Sequence, residues 1–319
     1  MKAIVLTDYG VPGYIKEQKT PVPEINENQI LVEVFGTSIN PADISLRSGA
    51  IQHFMPTQFP HLLGVDIVGI VKDIGKNITH VKPGDRVMGV SLKGAYAEYV
   101  AVEEREVVVL PKDISFKDAA GLPAVGMTAW IALFQYADLQ PKQRILIHGG
   151  AGGVAHIAIQ LAKQHGAYVI TTAREYNHEF VKSLGADEVI DYTTTDFTKA
   201  ISSPVDIVLD TIMDKNFTGS LSETGQRSYD VLKDDGKLIS LVAMALDKQP
   251  QVRRIESKFT HVQPSHEVFI SLLQRVQEQK LKVHVDKEFP FTLEGIIDGY
   301  NKSQIQPRKG KLIILKNLD

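Results

Sequence analysis

The run Ile145-Leu146-Ile147-His148-Gly149-Gly150-Ala151-Gly152-Gly153-Val154-Ala155 decides how the rest of the chain is read. It opens as a short apolar strand, and Val154-Ala155-His156-Ile157-Ala158-Ile159-Gln160-Leu161-Ala162 continues it as a helix. Between the two stands Gly150-x-Gly152-x-x-Ala155, the spacing of a dinucleotide-binding loop in the strand–loop–helix setting such a loop requires. Gly150 permits the tight turn, Gly152 lets the backbone approach a pyrophosphate, and Ala155 is small enough for close helix–strand packing. Amides at the helix start, at the positive end of its dipole, form an anion site. Gly150, Ala151, Gly152, Gly153 and Val154 are therefore the expected contacts to a cofactor's phosphates.

Downstream, strands and helices alternate. Tyr168-Val169-Ile170-Thr171-Thr172, Glu188-Val189-Ile190-Asp191, Val205-Asp206-Ile207-Val208-Leu209-Asp210 and Lys237-Leu238-Ile239-Ser240-Leu241-Val242 read as strands, with a helix from His178 to Leu184. Mostly continuous apolar runs indicate strands buried on both faces, as in a parallel sheet covered by helices. A doubly wound, Rossmann-type α/β domain is expected over 123–283. In such a domain the end of the second strand selects between NAD and NADP, a carboxylate there favouring NAD. Here the strand ends Thr171-Thr172-Ala173-Arg174, a hydroxyl and a guanidinium instead. A planar, permanently charged fork suits a 2′-phosphate, so NADP(H) is expected, with Thr172 and Arg174 as contacts. Glu175 is a counter-signal, since it can pair with the arginine or bind the ribose itself. Val242, closing its strand, is a further expected cofactor contact.

Upstream the pattern changes. Residues 1–122 show short extended runs, among them Ile30-Leu31-Val32-Glu33-Val34 and Ile67-Val68-Gly69-Ile70-Val71, cut by turns such as Lys82-Pro83-Gly84-Asp85. A last strand, Lys311-Leu312-Ile313-Ile314-Leu315, is expected to return to this part, so that 1–122 and 284–319 form one mainly-β domain split by the other.

The chain has 319 residues, 43% of them hydrophobic and 23% charged, an ordinary globular balance. A net charge of −3 argues against a domain built to neutralise nucleic-acid phosphates. Cysteine is absent, which removes disulfides, thiolate zinc sites, iron–sulfur clusters and cysteine nucleophiles. No signal-peptide core or membrane span is evident, so a cytoplasmic protein without nucleic-acid or membrane partners is expected. No Gly-x-Ser-x-Gly is present, and Tyr229-x-x-x-Lys233 carries little weight as a chance-level match.

In their order along the chain, several motifs resemble the medium-chain dehydrogenase/reductase superfamily, in its zinc-independent quinone oxidoreductase-like branch. They are Ser38-Ile39-Asn40-Pro41-Ala42-Asp43, Gly64-Val65-Asp66-Ile67-Val68-Gly69, Val81-Lys82-Pro83-Gly84-Asp85-Arg86-Val87 and Gly94-Ala95-Tyr96-Ala97-Glu98-Tyr99. Leu122-Pro123-Ala124-Val125-Gly126-Met127-Thr128-Ala129-Trp130, the glycine loop, and Ser183-Leu184-Gly185-Ala186-Asp187 complete the set. The resemblance implies a split GroES-like catalytic domain around a Rossmann-type domain. Zinc-dependent members carry a cysteine near the place of Asn40, Gly-His-Glu in place of Gly64-Val65-Asp66, and a four-cysteine lobe after Val90; none of these is here.

Zinc-free members typically move a hydride from NADPH to a quinone or an α,β-unsaturated carbonyl, a small-molecule acceptor that is already electrophilic. The resemblance makes Asn40 the expected catalytic donor and nicotinamide contact; Asp43 reads as structural, tying the turn by side-chain-to-backbone bonds. The resemblance implies Thr128 at the nicotinamide, Tyr192 at the adenosine phosphate and Lys311 as a cofactor lysine, the alternative for Lys311 being a solvated charge at a strand start. One departure stands out: Arg174 falls where members often have Ser, and Tyr176 where they have a basic residue. A 2-enoyl thioester reductase, or a non-enzymatic NADPH-binding sensor, are the rival readings, and a homodimer is the assembly the resemblance implies.

Overall fold

The apolar runs on either side of the glycine loop assemble into a six-stranded sheet. Its order is Glu188–Ile190, Tyr168–Thr172, Arg144–Ile147, Val205–Asp210, Leu232–Ser240, Glu256–Phe259, and every neighbouring pair is parallel. Numbered along the chain this is the doubly wound order, which reverses between Arg144–Ile147 and Val205–Asp210, where α/β sheets bind ligands beyond their strand ends. Ile145, Leu146, Ile147, Val208 and Leu238 are excluded from solvent, which accounts for the continuous apolar runs.

The computed structural model describes residues 1–10, 14–213, 219–305 and 309–316. The chain divides into two units, one of Met1–Met127, Gln263–Gln279 and Val283–Asp319, the other of Thr128–Val262 and Lys280–Lys282. The first unit holds a sheet in the order Val285–Pro290, Lys311–Leu315, Gln29–Ser38, Asp66–Ile74, Arg86–Val90, Val107–Val109, with Tyr99–Glu103 also paired to Gln29–Ser38. Ile30, Val32 and Val34 are fully buried at every second position of Gln29–Ser38, and they pack with Ile67, Val71, Val87 and Val102. Lys311–Leu315 pairs antiparallel with the same strand, Ile313 opposite Ser38 and Leu315 opposite Gly36. The end of the chain thus returns to the N-terminal sheet.

Two features depart from the sequence expectations. The edge strand Glu256–Phe259 was not foreseen, because Glu-Ser-Lys-Phe carries no apolar run; it joins through main-chain pairing to Lys237–Ser240. The helix His266–Gln277, expected inside 123–283, belongs to the β unit. Its reason is packing: His266 Nδ1 donates to the Val107 carbonyl (2.9 Å), Gln277 Nε2 to Asp113 (3.2 Å), and Leu272 lies against Gly126. Residues 123–127 go with that unit too, because Asp66 accepts from the Ala124 amide (2.6 Å). Among the described residues no helix is long and apolar enough to cross a membrane.

Candidate functional site

The glycine loop is pinned at its base and open above it. The Gly149 amide donates to Thr172 Oγ1 (3.0 Å) and the Gly150 amide to the Thr172 carbonyl (2.9 Å), so the loop hangs from the end of the second strand. A side chain at Gly150 would collide with that of Thr171, and Gly149 has φ +67°, a left-handed conformation suited to glycine. The Gly152 amide turns inward to the Gly149 carbonyl (2.8 Å). Those of Ala151, Gly153 and Val154 take no backbone acceptor among the described residues and precede the helix Ala155–Gln164. Unused amides at a helix start are what an anionic phosphate requires. Thr172 itself is buried, and its hydroxyl serves the loop.

At the ends of the second and third strands the structure brings together two residues that the sequence reading named separately. Arg174 Nε donates to Tyr192 Oη (2.8 Å), with the guanidinium 5.8 Å from the centre of the Tyr192 ring. Both side chains are exposed. Asp191 beside them is engaged in its own turn, accepting from the Thr193 amide and hydroxyl and from the Glu175 amide. Val242 lies just past Leu232–Ser240, its amide donating to Ser240 Oγ (3.2 Å), and Thr128 is half-buried on the helix Pro123–Trp130.

In the other unit the motif residues meet in a buried polar hub. Asn40 precedes the helix Pro41–Ser48, and its amide donates to Asp43 Oδ2 (3.0 Å), half of a capping arrangement with proline at the first helical turn. The Asn40 carboxamide, only 5% exposed, donates to Asp66 Oδ2 (2.8 Å) and to Ser38 Oγ (3.4 Å), and its oxygen accepts from Lys311 Nζ (2.7 Å). The carboxamide expected to donate to a substrate or nicotinamide carbonyl is here flanked by two buried charges, which an amide with a donor end and an acceptor end bridges. Lys311, 2% exposed, also donates to the Ile39 carbonyl (2.9 Å) and lies 3.9 Å from Asp66, so it is no solvated charge.

Asp66 collects donors from Ser38, Asn40 and Ala124. Asp43 accepts from the amides of Asn40 and Gly64, the latter at φ +89° with the Tyr96 ring packed where a side chain would stand. Burial pushes the Asp43 carboxyl up to about 7, the Asn40 amide drawing it back and nearby Asp66 adding to the rise. Sequence reasoning quoted Ser38, Asp66 and Tyr96 as motif letters but missed them as partners. The available signal was polar residues bordering strands that are otherwise apolar. Among the described residues no group of three or more His, Cys, Asp or Glu is placed to hold a metal ion.

Fold and loop together define a dinucleotide-binding α/β protein joined to a split β unit. Residues 26–112 match the alcohol dehydrogenase GroES-like domain family, and 184–314 the zinc-binding dehydrogenase family. The chloroplastic NADPH-dependent alkenal/one oxidoreductase of Arabidopsis thaliana is 32% identical over 98% of this chain and 79% of its own length. The 2-methylene-furan-3-one reductase of Solanum lycopersicum is 31% identical with the same coverage. Among solved structures, the quinone oxidoreductase from Coxiella burnetii is 33% identical, with a TM-score of 0.86 over 99% of both chains. The chain belongs to the medium-chain dehydrogenase/reductase superfamily, among its quinone oxidoreductase-like members, and is an oxidoreductase.

Proposed function

We propose that this enzyme, with NADP(H) as its cofactor, transfers a hydride to a quinone or to the β-carbon of an α,β-unsaturated carbonyl without a metal ion. The observation that carries the cofactor reading is the exposed Arg174–Tyr192 pair at the end of the second strand, where a ribose-binding carboxylate would otherwise favour NAD. A guanidinium held through its Nε by the Tyr192 hydroxyl keeps its outer N–H groups for a 2′-phosphate. The unused amides of Ala151, Gly153 and Val154 fit the pyrophosphate, and a side chain at Gly152 would come within 3.1 Å of the Gly149 carbonyl. NADPH supplies a hydride when bound; the residues named here bind and orient it.

For the acceptor, the support is chemical. Asp66 stands where zinc-dependent relatives have a glutamate, and its oxygens are committed to Ser38, Asn40 and Ala124. The chain has no cysteine to complete a zinc site. An acceptor polarised by its own conjugation needs no Lewis acid, only orientation against the cofactor. The relatives named for alkenal/one and methylene-furanone reduction agree with that chemistry.

The test is NADPH consumption with a panel of a benzoquinone, a 2-alkenal and a 2-enoyl thioester, alongside NADP+ reduction with a secondary alcohol. Turnover of the quinone or the alkenal is expected, insensitive to a chelator, with kcat/KM for NADPH about tenfold or more above that for NADH. Exclusive turnover of the thioester would redirect the acceptor to acyl chains. Chelator-sensitive alcohol oxidation alone, or cofactor binding with no turnover at all, would overturn the proposal.

A further inference from the structure

The residue that opens the glycine loop, His148, has no contact role in the cofactor reading, yet both of its ring nitrogens are used. Its Nε2 lies 2.9 Å from Ser228 Oγ and its Nδ1 3.3 Å from Thr172 Oγ1, with the ring fully buried and edge-on to Phe197. One placement of the protons satisfies every partner. With the Ser228 hydroxyl donating to the Thr224 carbonyl (2.8 Å), its oxygen accepts from the histidine. Nε2 therefore carries the proton. Nδ1 of the neutral ring is then bare and accepts from the Thr172 hydroxyl, whose oxygen in turn accepts from the Gly149 amide (3.0 Å). The chain of bonds runs in one direction from Gly149 through Thr172, His148 and Ser228 to Thr224. It ties the loop to a segment far along the sequence. The His148 carbonyl is itself held by the Thr211 hydroxyl (2.8 Å) at the end of Val205–Asp210.

We propose that His148 is a positioning residue for the glycine loop: as a neutral imidazole protonated on Nε2, it orients the Thr172 hydroxyl that fixes the Gly149 amide. Burial pushes the His148 pKa down to about 3, so the ring is neutral and the relay keeps its direction around neutral pH. The consequence for cofactor binding rests on the loop being the NADPH pyrophosphate site proposed above; the relay itself does not.

The experiment combines NADPH titration with nitrogen-15 spectroscopy of the full chain. In the wild type, the His148 ring should show an unprotonated Nδ1 and a protonated Nε2, unchanged between pH 5 and 8. His148→Leu should speed hydrogen exchange at the Gly149 amide and raise the Kd for NADPH about tenfold, the worth of one lost hydrogen bond, with kcat little changed. His148→Gln, which keeps one acceptor and one donor, should recover part of that affinity. Should His148→Leu fail to fold, Ser228→Ala gives the milder test, freeing Nε2 from its partner and loosening the Gly149 amide. A proton found on Nδ1, or Gly149 exchange unaffected by these changes, overturns the relay. If the wild type binds no NADPH, the cofactor reading fails with the affinity prediction, while the tautomer and the exchange rates still judge the relay.

Discussion

Asp43 and His148 are each buried, in different units, and titrate away from their ordinary ranges with opposite consequences for stability. Folded His148 refuses a proton that the unfolded chain accepts below 6.5, so between about 3 and 6.5 it makes stability rise with pH. Folded Asp43 keeps a proton that the unfolded chain releases above 3.8, so between 3.8 and about 7 it makes stability fall as pH rises. The two slopes oppose each other where they overlap. Asp43→Asn removes the falling one and leaves the rising one. Denaturant unfolding of the variant should show stability climbing more steeply between pH 4 and 6.5 than in the wild type, whatever the constant cost of the substitution. Parallel profiles would mean that Asp43 ionises at an ordinary pH. None of this is visible in the sequence, where Asp43 reads as a turn-tying side chain; its pKa is raised first by burial, which the fold alone creates, with Asp66 adding to the rise and Lys311 opposing it from distant positions.

Among the elements, those that announce themselves in the sequence are the ones whose local chemistry agrees with their place. Arg144–Ile147, the glycine loop and Ala155–Gln164 are legible because apolar period and glycine spacing point to the same answer. Glu256–Phe259 is not, since a polar edge strand is specified by the pairing it completes. Nor is the allegiance of His266–Gln277, fixed by the Val107 carbonyl and Asp113 rather than by its own pattern. The tail strand Lys311–Leu315 is legible as a strand, but its first residue is the hub's cation: Lys311 Nζ reaches Ile39 and Asn40 and stands 3.9 Å from Asp66. Lys311→Met would leave the Asp66 carboxylate buried without its cation, a loss of about 3–5 kcal/mol by denaturant unfolding. A loss under about 1 kcal/mol would mean that Ser38, Asn40 and Ala124 satisfy Asp66 without help.

Across the whole molecule, the chain distributes its work between two units. One carries the glycine loop, Arg174 and Tyr192, everything the sequence marks for the cofactor's phosphates; the other carries a hub of Asn40, Asp43, Asp66 and Lys311 bound to one another. The class of protein was legible from motif order, because glycines and their flanking elements are local signals. The hub was not, because its members are scattered from Ser38 to Lys311 and only the fold joins them. Asp66 sits at its centre, its carboxylate tied to the Asn40 and Ala124 amides and the Ser38 hydroxyl and 3.9 Å from the Lys311 ammonium. Direct transfer of hydride to a conjugated acceptor is the central claim. Its most direct test supplies the enzyme, in excess chelator, with a 2-alkenal and NADPH carrying deuterium at the transferable position of C4. Deuterium at the β-carbon of the saturated product is the predicted result; a product without deuterium there, or no product until a metal ion is restored, would contradict the account.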